Sequence, residues 1–127
     1  MDNKKDDKYY IDKVIENIDV IIEYTQDLDY EEFISYDILV DATLFRLIQM
    51  AENVKNISQE YKDKHTEIEW GLIAGFRNGI VHHYGQTEFE TVYEIVSEDI
   101  YELRRALRGP EIEREPDDER GNDGPSL

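Results

Sequence analysis

The chain contains no cysteine, which excludes disulfides and thiolate–metal sites and leaves its redox compartment open. Proline is scarce: there are three, and all of them follow Gly109. Long apolar runs are missing too, so nothing in the sequence reads as a membrane-spanning helix. The stretch from Met1 to Lys8 is polar and has no apolar h-region, which does not read as a signal peptide. A cytoplasmic protein is the expectation. Basic residues are few, 14 Lys and Arg against 31 Asp and Glu, for a formal charge of −17. The excess is not confined to one end, because residues 1–108 hold 24 acids and 12 Lys or Arg. Such a surface repels a nucleic-acid backbone at long range. Salt screens that repulsion, and acidic surfaces suit a saline cytoplasm, so a halophilic source is expected.

What is present is helical periodicity. At 127 residues the chain has the length of one domain. Tyr10, Ile11, Val14, Ile18, Ile21 and Ile22 recur at helical spacing and predict a helix over about 8–26. Asp29 is placed to cap a short turn through Phe33. A second long helix is expected from Tyr36 or Asp37 to about Tyr61, with a polar connector at 62–66. Thr66 and Glu69 have capping-box spacing and predict a third helix over about 67–83. Within it Gly71, Gly75 and Gly79 recur every four residues, a small-residue stripe that lets another helix approach closely. A fourth helix is expected over about 88–108. No strand-type alternation of any length appears. The expected architecture is an all-α, up-and-down bundle of four or five helices over 1–108. Residues 109–127, charged and without an apolar pattern, read as a disordered acidic tail.

The chemistry concentrates in Arg77-Asn78-Gly79-Ile80-Val81-His82-His83-Tyr84. An imidazole moves protons near neutral pH, and a guanidinium holds a phosphate and steadies charge as it develops. On one regular helix Arg77 and His82 stand about 140° apart around the axis and about 7.5 Å along it. They do not converge on one phosphate. Asn78 and His82, four apart, share a face, so Asn78 can orient the imidazole. Two routes bring in the arginine. Either Arg77 reaches round where the helix loosens near Gly79, or a two-fold axis sets the helix against its copy and pools residues from both chains. The glycine stripe favours the second, a homodimer through the motif helix.

This run resembles the Arg-x4-His-x-Tyr motif of the HEPN superfamily, in particular the HepT-type toxins that pair with a minimal nucleotidyltransferase antitoxin. The likeness extends over about 8–108. Asp41 to Ser58, with Ala51-Glu52, is similar to the family's second main helix. Glu69-Trp70 and Gly75-Phe76-Arg77-Asn78 are similar to the lead into the motif, and Val92 to Leu107 to its closing helix. The resemblance implies a metal-independent endoribonuclease with RNA as substrate and no cofactor. It implies Arg77 and His82 as catalytic residues, Asn78 in support, and Tyr84 as the tyrosine that the antitoxin modifies with AMP. By that analogy His82 activates the ribose 2′-hydroxyl or protonates the leaving oxygen, and Arg77 steadies the phosphorane-like charge.

Other residues carry less. His83 occupies the motif's variable position, and His65 in the polar connector reads as a solvated surface residue. Glu52 reads as a structural partner of Arg46 or Arg77, or else as a site acid. No His, Asp and Glu set has metal-ligand spacing, and no glycine-rich phosphate loop follows a strand. A second reading stays open. The charge of −17 suits a non-catalytic helical module that docks a nucleotidyltransferase or a nucleotide.

Overall fold

The computed structural model describes residues 6–82 and 88–113, with backbone alone for His82 and for 110–113. Asp6 caps the first helix by accepting the Tyr9 amide, and α1 runs over Asp7–Thr25 with Val14, Ile18, Ile21 and Ile22 buried. Asp29 and Glu32 form a reciprocal capping box that starts the short α2, Tyr30–Ile34, and Phe33 on it is fully buried.

Helix α3 spans Asp37–Lys55 and ends about six residues short of the expected boundary. The cause is a tertiary contact. The Asp7 carboxylate at the start of α1 accepts from the Ser58 amide at 2.8 Å and from the Ser58 hydroxyl at 2.7 Å. Ile57 is drawn into the core beside it, and Ser58 then caps a separate short helix, α4, over Gln59–Lys64. A polar turn follows, in which Ile68 is buried and Trp70 donates its indole N–H to the His65 carbonyl. That turn delays α5, which covers Trp70–His82 rather than starting at 67.

The last rod is α6, Phe89–Glu94, then a π-helical turn, Ile95–Asp99, then α7, Ile100–Glu113. A π turn places residues five apart on one face, and here Ile95, Val96 and Ile100 are all buried together. On a plain α-helix the same three positions also lie within about 140° of one another, so their spacing does not announce the π turn. Gly109 bends the rod with φ 80° and ψ 170°, a conformation that suits glycine. Helical backbone resumes over 110–113, inside the expected tail, and the remainder of that tail lies outside the described residues.

Long-range bonds set the directions of the rods. Asp7 meets Ser58 and Asn17 meets Arg46, so α1 and α3 are antiparallel. Tyr93 donates to the Leu28 carbonyl at 2.6 Å and Arg104 to Asp19 at 2.7 Å, so the α6–α7 rod is antiparallel to α1. Helix α5 packs against α3. The result is an all-α bundle in the order α5, α3, α1, α7, with no strand among the described residues.

Thr43 sits in this core with no exposure, and its hydroxyl has no hydrogen-bond partner among the described residues. A buried, unpaired hydroxyl forfeits its hydration without compensation. Thr43→Val is expected to raise stability by about 1 kcal/mol in urea unfolding, and an equal loss would show that the hydroxyl is satisfied.

Candidate active site on helix α5

Ile73 and Ile80 are the buried anchors of α5, with Trp70, Phe76 and Arg77 half-buried beside them. Their register leaves the opposite face to Gly71, Ala74, Gly75, Asn78 and Gly79, all exposed. A Cβ added at any of the three glycines meets no atom of the described residues within 4 Å. The glycines therefore serve no close packing inside the protomer. By register, His82 belongs to this same open face.

Arg77 lies at the α3 side of the helix. Its Nε donates to Glu52 Oε2 at 2.6 Å, and its Nη1 donates to Asn78 Oδ1 at 3.3 Å. Glu52 thus partners Arg77, while Arg46 turns the other way and donates to Asn17. Nη2 has no partner among the described residues, which leaves one edge of the guanidinium for a phosphate oxygen. Both side chains of the pair keep more than a third of their exposure, 37% for Arg77 and 38% for Glu52. Solvent screening at that exposure limits the pair's contribution to stability. Its main effect is geometric: it sets the direction of a long, flexible cation.

Of the residues singled out above, Arg77 and Asn78 are brought together, and Glu52 joins them from 25 positions earlier in the chain. The helix stays regular through Gly79, so the local loosening that would let Arg77 reach round to His82 is not present. His82 is the last helical residue of α5. His83 and Tyr84 lie outside the described residues. His65 differs from its expected place in solvent: its ring stacks on Tyr61 at 4.1 Å, and it is half-buried in the α4–α5 turn. Of the two partners expected for Glu52, Arg46 or Arg77, the structure selects Arg77.

A family model described as Ribonuclease HepT-like matches residues 14–109. The chain belongs to the HepT-like ribonuclease family. It is 31% identical over 124 residues to a Methanocaldococcus jannaschii protein provisionally named an RNase, with 98% of each chain covered. It is 30% identical over 101 residues to a Probable ribonuclease HepT of Thermococcus cleftensis, covering 80% of this chain and 92% of that one. A further M. jannaschii protein, named as a gamma-glutamylcyclotransferase and provisionally as an RNase, is 30% identical over 104 residues. This chain spans about half of that longer relative, 47% of its length. No solved structure matches the chain. Family membership makes this HepT-like protein a ribonuclease by class, and α5 carries Arg77 and His82 of the motif.

Because the Glu52–Arg77 pair is half-exposed, a double-mutant cycle with Glu52→Gln and Arg77→Met is expected to give a folding coupling below about 1 kcal/mol. A coupling near 3 kcal/mol would mean that the pair holds α5 to α3.

Proposed function

We propose that this chain is the RNA-cleaving toxin of a toxin–antitoxin pair, a metal-independent endoribonuclease that acts as a homodimer through α5. The observation that carries the reading is the open small-residue face of α5 beside an arginine whose direction Glu52 sets. In one regular helix Arg77 and His82 remain about 140° apart, so a single protomer does not present both to one phosphate. A second α5 laid across the glycine face brings His82 of one copy toward Arg77 of the other.

In that composite site His82 removes the proton of the ribose 2′-hydroxyl, or delivers one to the departing 5′-oxygen. The 2′-oxygen forms a bond to phosphorus as the bond to the 5′-oxygen breaks, leaving a 2′,3′-cyclic phosphate and a 5′-hydroxyl. Arg77 stabilises the negative charge that builds on the phosphoryl oxygens. Asn78, bonded to Arg77 Nη1, supports the guanidinium. Tyr84, two residues past His82, is the proposed acceptor of AMP from a nucleotidyltransferase antitoxin. The added phosphate would place negative charge and bulk at the mouth of the site and exclude RNA. AMP-sized mass additions that map to Tyr84 in protein made with its antitoxin would support this step.

The charge of −17 favours the second reading, a docking module without catalysis. The two readings part on activity. Purified protein is expected to cleave RNA with EDTA present, leaving cyclic phosphate ends. Arg77→Ala and His82→Ala are each expected to lower the rate by about a hundredfold or more while the protein stays folded and dimeric. Equal inertness of all three proteins, at low and at high salt, would sink the ribonuclease mechanism and leave the docking module.

The shared site has its own test. Mixing Arg77→Ala with His82→Ala protomers is expected to restore about a quarter of the activity, since half the dimers are mixed and each holds one complete site. No recovery on exchange of subunits would place both residues in one protomer's site. Gly75→Leu is expected to give a folded monomer, because a Cβ at that position meets no described atom of its own protomer within 4 Å. A dimer that persists in light scattering would move the interface elsewhere.

A further inference from the structure

Helix α5 leans on α3, and α7 leans on α1, and between α5 and the α7 rod a trough of about 240 Å³ stays open. Its floor is apolar, with Met50, Ile73, Phe76 and Leu103 among the side chains that line it. Leu72 stands at the lip with 54% of its surface exposed. The polar lining is of one sign. Glu67 and Glu69 come from the α5 side, Asp99 and Glu102 from the π turn and the start of α7, and no Lys or Arg is among the described residues that line the trough.

This charge is not idle. The Asp99 carboxyl is pushed above the usual range by its burial and then by the neighbouring Glu94, Glu102 and Glu98. Each further anion raises that electrostatic cost, and a cation lowers it. RNA phosphate is therefore repelled from this groove. The trough is also set apart from the motif: Leu72 and Phe76 lie about 140° and 100° around α5 from Arg77. An apolar groove between two helices, with acidic residues on both sides, matches an amphipathic helix that carries apolar residues on one face and bases on its flanks.

We propose that this trough docks a protein partner through a basic amphipathic helix. Its apolar side chains cover Leu72 and fill the space above Met50, Ile73 and Phe76. Its Lys or Arg side chains meet Glu67 and Glu69 on one wall and Asp99 and Glu102 on the other. The inference stands on the trough alone and does not require the ribonuclease mechanism.

The test uses the full chain and a fluorescent, end-capped Leu/Lys peptide of about five helical turns, with its leucines on one face. Anisotropy titrations at about 0.15 M salt compare it with a peptide of the same composition in shuffled order. The ordered peptide is expected to bind about tenfold more tightly than the shuffled one. Leu72→Ser and the double variant Asp99→Asn with Glu102→Gln are each expected to weaken it about tenfold. Glu23→Gln with Asp27→Asn, which removes the same charge from the exposed end of α1, is expected to change it less than about twofold. Equal weakening by the two double variants, or equal binding of the two peptides, would overturn the proposal in favour of diffuse charge attraction. Displacement of the peptide by spermidine with the same dependence on Leu72 and Asp99 would overturn it in favour of a polyamine site. Loss of self-association in Leu72→Ser would overturn it by assigning the lip to a second copy of this chain.

Discussion

The antiparallel contact of α1 with α3 carries the rest of the molecule. Val14, Ile18 and Ile21 from one helix, and Leu44, Leu47 and Met50 from the other, are among the most deeply buried side chains. Polar links pin the register near the end and in the middle: Asp7 to Ser58, and Arg46 to Asn17. Burial supplies most of the driving force, at roughly 25 cal/mol for each Å² of apolar surface removed from water. The polar links choose among the ways that two such greasy faces could slide past one another. Everything else is attached to one or other member of this pair, with α6–α7 on α1 and α5 on α3.

That order has a functional consequence. Because α5 is held mainly from the α3 side, its remaining surface is free to do something else. One flank keeps Arg77 against Glu52, the outward face offers glycine, alanine and Asn78, and the third flank, with Leu72 and Phe76, borders the acidic trough. A helix with little tertiary support on most of its circumference is a poor stabiliser of the fold. It is a good place to gather groups whose work is with other molecules. The proposed dimer, the proposed phosphate site and the proposed partner groove each use a different side of the same thirteen residues.

Much of this was readable from spacing. The apolar periods of α1, α3 and the last rod placed those helices, and Asp29 with Glu32 announced α2. The run from Arg77 to Tyr84 marked the motif because its residue types are chemically rare neighbours. Boundaries fared less well where a distant residue intervened. Ser58 is a residue type that can start a helix, but the carboxylate that fixes its amide and hydroxyl lies fifty-one positions earlier. Glu52 was expected to partner either Arg46 or Arg77, and only the folding of α5 back along α3 decided for Arg77. The π turn was not legible either, because Ile95, Val96 and Ile100 fit the inward arc of a plain α-helix equally well.

Local chemistry therefore settled the class of fold and the family. Helical spacing and caps act within four or five residues, and the motif lies within eight. Tertiary structure decided what depends on distant neighbours: where α3 ends, which acid directs Arg77, that the glycine stripe faces outward, and that four scattered carboxylates line one apolar trough. The physical reason is that hydrogen-bond periodicity is written along the chain, whereas burial and charge pairing exist only once separate helices share a surface.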